Sequence, residues 1–355
     1  MRITTIIVAA AFVASAGSAR AEDGPCSEWR EAGVIGDLRC EPADGGAVIG
    51  GGARASEYAK VFPRAFAAFA EYFAPSEQKV ALVVQPEVSA ELTAALAADG
   101  YKPLPWIDNE TKAAMLRDSI VAQVEAQTAS LPEAQRAAVV QQALAKAEGA
   151  APAHADPEME DGAIAHEIGH LLFNRYFDGP ETESADRTAR YGSSAPDWLD
   201  ETAAVALEND AQTRSRYVAA REAYDADGTV LAFPLDTYLS MDHPLLQSAQ
   251  ALKTLKRGST GAVMLSGDEA TAFLEASGGK PAAFYRQTRM FIDYLMETSG
   301  DPRIIYAIAQ AYRNGGDLSG WLARSGGENG LPETLEALET EFEAWARAKL
   351  ADAAA

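Results

Sequence analysis

Histidine is scarce in this chain, four in 355 residues, and cysteine is scarcer still, with two. So few cysteines exclude a cysteine-built metal cluster or a dense disulfide framework. Positive charge is also short: 30 Lys and Arg face 52 Asp and Glu, for a formal charge of -22. So acidic a surface argues against nucleic acid and anionic membrane as partners, and mildly favours neutral or basic peptides. Beyond the first 21 residues no uncharged run reaches membrane-spanning length, so no span is expected after that segment. Apolar residues make up 48% of the chain, ample for a packed core.

The N-terminus has the pattern of a secretory signal over residues 1–21. Arg2 supplies the charged start, Ile3 to Ala14 the apolar stretch, and Ala19-Arg20-Ala21 a small-residue cleavage site. Export to periplasm or medium follows as the expectation, with the periplasm favoured because no wall-anchoring motif is present. An oxidising destination makes a Cys26–Cys40 disulfide the expected state of the two cysteines. The remainder divides at a small, Pro-containing stretch, 149–155, into an N-terminal region (22–150) and a second region (151–355).

Residues 22–55 are rich in Gly and Pro and are expected to be irregular, held by the disulfide. Tyr58, Val61, Phe62, Phe66, Phe69 and Phe73 recur at helical spacing and predict a helix over 56–74. Lys79 to Gln85 is a short apolar run and the clearest strand. A helix over 87–99 stops at Gly100, and Tyr101 to Ile107 reads as an extended segment whose two prolines confine it to a sheet edge. Two Ala-rich helices, 109–129 and 133–147, flank Leu131-Pro132 as a hairpin. Asp156-Pro157-Glu158 suits a helix start: a cap, a proline at the first helical position, an acid in the first turn. The last third is expected to be helical, broken at Gly278-Gly279, Gly300, Gly315-Gly316 and Gly326-Gly327. Leu335, Leu338, Phe342 and Trp345 give the final helix a core-facing stripe.

The helix opened by Asp156 carries His166-Glu167-Ile168-Gly169-His170. Residues four apart share a helix face, so the two imidazoles can grip one cation. Glu167 can then reach a water on that cation as general base, which is the mechanics of the H-E-x-x-H zinc metalloprotease signature. A catalytic zinc takes three protein ligands. Positions 173 and 176, where a metzincin would carry Gly and His, are Phe173 and Tyr176. No other histidine lies in a convincing motif, so a carboxylate is the expected third ligand.

Asp197-Trp198-Leu199-Asp200-Glu201-Thr202 resembles the W-L-N-E-G segment of gluzincin peptidases, with Asp200 for the common Asn and Thr202 for the common Gly. The resemblance implies Glu201 as third zinc ligand. Glu208, seven residues on, matches the spacing of a carboxylate that supports a ligating histidine in aminopeptidase-N-like members. Tyr285, followed by Tyr294-Leu295 and Gly300, resembles the helix whose first tyrosine donates a hydrogen bond to the oxyanion. His243 is the alternative donor, with a helix-start or surface position as its plainer reading, and His154 reads as a solvated bystander. The G-x-M-E-N segment by which aminopeptidases hold a free amine is missing. The resemblance covers about 156 to the C-terminus and implies an α+β, predominantly helical, zincin-like fold with a small N-lobe sheet and a helical C-lobe. It also implies an exported Zn2+-dependent metallopeptidase acting on peptide or protein. The alternatives are a non-catalytic peptide- or wall-binding protein and a zinc amidase acting on another amide.

Overall fold

The computed structural model describes residues 24–149, 156–179, 192–245 and 278–352. The signal-like segment, His154 and most of the stretch between the two regions lie outside these residues. The architecture is α+β and predominantly helical, with one small sheet in the N-terminal region. Four strands run in the order β1 (Cys40–Ala43), β2 (Gly46–Gly50), β3 (Lys79–Val84), β4 (Tyr101–Trp106). The first pair is antiparallel and the other two pairs are parallel.

A parallel sheet is covered on both faces, which is why β3 reads as an uninterrupted apolar run. Val80, Leu82 and Val84 point into the main core with Val48 and Leu104, against the aromatic stripe of α2 (Ala55–Tyr72). Ala81 and Val83 point the other way, with Ala47 and Ile49, onto Trp29 of α1 (Gly24–Glu31) and Leu92 and Leu96 of α3 (Ala90–Ala98). β4 is an edge strand, as its prolines require. Trp106 O accepts from Gln85 N. By alternation, Pro103 and Pro105 therefore turn their missing donors away from β3.

The expectation of irregular structure over 22–55 is corrected: α1, β1 and β2 occupy much of it. Their signals are faint because the strands are short and glycine-bounded. Gly46 has a packing reason, since a Cβ there would strike the Val80 carbonyl oxygen and the Phe62 ring. Cys26 and Cys40 form a disulfide joining α1 to β1. Closing a loop of that length contributes about 3 kcal/mol in the chain-entropy account.

After β4 come α4 (Asn109–Gln127) and α5 (Glu133–Gly149), which pack on each other as the expected hairpin. The second region holds α6 (Pro157–Asp178), α7 (Asp197–Val205), α8 (Asp210–Asp227), α9 (Leu235–Ser240), α10 (Lys280–Ser299), α11 (Ile304–Arg313), the short α12 (Leu318–Trp321) and α13 (Leu335–Asp352). Gly279 and Gly300, both at positive φ, bound α10. On α13, Leu338 and Phe342 are buried, and Leu335 and Trp345 pack against the same core. That core is continuous from the sheet through α2 to α6, α7 and α10. Among the described residues no helix is long and apolar enough to cross a membrane.

Candidate metal centre

α6 starts as its sequence dictates, with the Asp156 side chain accepting from Glu158 N and Pro157 in the first turn. Ile164, Ala165, Ile168, Leu172 and Phe173 anchor it in the core. Near its start the buried Glu160 accepts from Arg54, from Tyr58 Oη at 3.0 Å, from Trp106 Nε1 at 3.2 Å and from Asn109 N at 2.8 Å. One carboxylate so fully bonded ties the motif helix to α2 and to the end of β4. His166 and His170 lie on the next turns of α6.

Their rings stand 4.9 Å apart, centroid to centroid, and both residues are buried. Glu167, between them in sequence, is half-buried. α7 crosses α6 at Gly169, where a Cβ would lie 2.7 Å from Ala204 Cα. That close approach brings Glu201 against both histidines: Oε1 is 3.0 Å from His166 Nε2, and Oε2 is 3.6 Å from His170 Nε2. The three ligand atoms lie within 4.8 Å of one another.

The far nitrogens of both rings are engaged by other carboxylates. His170 Nδ1 lies 2.5 Å from Asp200 Oδ1, whose other oxygen accepts from Ser193 N at 2.5 Å. His166 Nδ1 lies 3.1 Å from Glu208 Oε1. Glu208 is gripped in turn by Arg216, through Nη2 at 2.6 Å and Nε at 3.3 Å. Each Nδ1–H thus donates outward, which turns both Nε2 atoms toward Glu201.

Both Glu201 oxygens are buried and accept no hydrogen bond of proper geometry, despite the 3.0 Å approach to His166. A buried carboxylate in that condition depends on nearby positive charge, which protonated histidines supply in the metal-free protein and a cation can supply in their place. Two imidazole nitrogens and a carboxylate gathered this closely are a donor set that a metal ion satisfies. The residues present therefore fit a metal ion held by His166, His170 and Glu201.

Two more groups border the site. The Tyr285 ring is 5.8 Å from the His166 ring and 5.5 Å from the His243 ring. α10 holds it there through reciprocal bonds between Gln287 and the Phe233 backbone, a Thr288–Tyr238 bond at 2.8 Å, and Arg289 donating to Val205 O at 3.2 Å. His243 is not at the surface: it is fully buried, with Nε2 3.5 Å from Glu201 Oε2. Its amide donates to Asp197 Oδ2 at 2.6 Å, and Leu245 N donates to its Nδ1 at 3.3 Å, which leaves the ring proton on Nε2. Burial pushes its pKa down to about 4, against the pull of Glu201, so the ring is neutral at pH 7.

Sequence reasoning did not assign roles to Asp200, Arg216 or Glu160. Asp200 had a usable signal: a carboxylate next to the expected ligand, where a neutral amide is common. Arg216 and Glu160 had none, because their partners are set by how helices cross.

Without metal, burial opposes protonation of His166, but Glu201 and Glu208 outweigh it and hold the pKa near 10; His170 is raised too, chiefly through Asp200 and Glu201. Metal must displace those protons. Metal affinity is therefore expected to rise with pH across the neutral range, with protons released on binding at pH 7. Calorimetry in buffers of different ionisation enthalpy measures that release; a binding heat independent of buffer would contradict it.

Gly169→Val should be costly for a different reason. The new side chain meets backbone rather than a yielding side chain, so α7 must shift. Overpacking of this kind costs about 1–3 kcal/mol, and displacing Glu201 should also lower metal content. Denaturant melts with metal analysis check both; an unchanged midpoint and full metal content would refute the tight crossing.

No family model matches this chain, and comparison with curated proteins and with solved structures gives no match either.

Proposed function

We propose that this chain is an exported zinc metallopeptidase of gluzincin type. The observation that carries the reading is the convergence of His166 Nε2, His170 Nε2 and the buried Glu201 carboxylate, with Glu167 next to His166 in the motif helix. Two imidazoles and a carboxylate are a donor set that catalytic zinc takes. Bound there, zinc supplies a Lewis acid that polarises a scissile carbonyl and acidifies a water. Glu167 accepts the water proton on its carboxylate and delivers it to the leaving amine nitrogen. The Tyr285 hydroxyl donates a hydrogen bond to the developing oxyanion. Asp200 and Glu208 fix the histidine tautomers, so both rings keep Nε2 for the metal.

The Cys26–Cys40 disulfide and the lack of a membrane-crossing helix among the described residues fit export of a protein with the signal-like N-terminus. The strongly acidic chain suits neutral or basic peptide substrates.

Mass spectrometry of a mixed peptide library treated with zinc-loaded protein tests the reading. Cuts that stop on chelation and return with zinc are expected. Full zinc occupancy with no cut anywhere would overturn the peptidase assignment in favour of a binding protein or a hydrolase of another amide.

A further inference from the structure

We propose that Arg216 is a positioning residue that couples the support of His166 to the placement of Tyr285. The metal-ligand half of this stands on geometry alone; its kinetic half rests on the peptidase reading. Arg216 lies mid-way along α8, a helix fixed at two places. Gln212 Nε2 donates to Met159 O at 3.1 Å and Asn209 Nδ2 to Glu158 O at 2.7 Å, pinning its start to α6. Tyr217, the next residue after Arg216, donates to Asp293 Oδ2 of α10 at 2.7 Å. Between these anchors the Arg216 side chain meets both sides of the site. One edge of its guanidinium makes two bonds to Glu208, one to each carboxylate oxygen. Its guanidinium carbon also lies over the Tyr285 ring, 4.6 Å from the ring centroid.

The chemistry of that group explains why arginine is needed. A buried carboxylate that already takes the His166 Nδ1 proton keeps its orientation only if its other oxygen is also held. The guanidinium edge does this in a fixed plane, and the same plane presents a cationic face to an aromatic ring. A lysine ammonium is a point charge on a flexible stem and cannot do both. The Glu208 side chain is fully buried, so in the intact protein Arg216 and His166 rather than bulk water hold it. Loss of the fork therefore loosens Glu208, then His166, and at the same time removes the cation that lies over the Tyr285 ring.

Arg216→Lys tests this while keeping the charge. Zinc affinity, measured by chelator competition, should fall about 10- to 100-fold. At saturating zinc, kcat should fall with KM unchanged, and that fall should vanish in a Tyr285→Phe background. In the metal-free protein labelled with 13C-tyrosine, the Tyr285 ring signal, assigned through Tyr285→Phe, should move. Glu208→Gln, which keeps the shape of the side chain, should lower zinc affinity and move the same signal, and it serves if Arg216→Lys does not fold. Unchanged zinc affinity, an unmoved Tyr285 signal, or a kcat loss that persists in full in the Tyr285→Phe background would overturn the coupling. Failure of the peptidase reading looks different: the wild type would cut no peptide, while the affinity and NMR readouts would still decide the role of Arg216.

Discussion

Glu167→Gln is expected to keep one equivalent of zinc and to lose peptide hydrolysis by about 100- to 10,000-fold, the usual worth of a positioned general base. The two halves of that result come from different parts of the structure. Metal retention follows because the atoms placed to hold a metal are on His166, His170 and Glu201, not on Glu167. Their support comes from Asp200 and Glu208, which the substitution does not touch. Loss of turnover follows because an amide of the same shape cannot accept a proton from water. Glu167 is half-buried, so glutamine there leaves no unpaired charge in the core. A kcat within a few-fold of wild type at full zinc occupancy would remove Glu167 from the reaction. Loss of zinc with the activity would instead place it among the ligands.

Glu201→Ala should have the largest effect on the metal: occupancy at micromolar zinc is expected to be lost, because only two protein ligands remain. It should also destabilise the metal-free protein. There burial pushes the Glu201 carboxyl up, but His166 and His170 outweigh it and hold it near pH 2, as Glu201 and Glu208 hold His166 near 10. The carboxylate contribution is complete above its unfolded value of 4.5 and is lost as pH falls through about 2. The imidazolium contribution is complete below its unfolded value of 6.5 and is lost as pH rises through about 10. Both are whole between about pH 4.5 and 6.5, where this buried pair contributes most to the metal-free protein. Removing one partner of a buried pair costs about 3 kcal/mol, and that difference between wild type and Glu201→Ala should be greatest in this window. Denaturant melts from pH 4 to 9, with zinc analysis, measure both effects. Unchanged zinc occupancy would exclude Glu201 as a ligand.

What the sequence discloses, and what it withholds, follows from the range of the forces involved. The motif helix is legible because its cap, its first-turn proline and its four-residue histidine spacing are all local. β3 is legible because burial on both faces makes it uniformly apolar. Glu201 is 31 residues beyond His170, and only a likeness to a known segment singles it out; the structural cause, the Gly169–Ala204 crossing, is invisible until the helices pack. β1 and β2 escape notice because their signal is a few residues between glycines, and their stability comes from β3. His243 looks like a surface residue in a polar Met-Asp-His-Pro context. Its burial depends on Asp197, 46 residues away, accepting its amide hydrogen. Arg216 gives no sign at all, since an arginine on an exposed-looking helix acquires its partners only when α8 is pinned to α6 and α10.

Anomalous scattering at the zinc edge, from crystals of the protein given one equivalent of zinc, would locate the metal relative to His166, His170 and Glu201. A single peak within bonding distance of His166 Nε2, His170 Nε2 and a Glu201 carboxylate oxygen is expected. A peak elsewhere, or none at that point, would contradict this assignment.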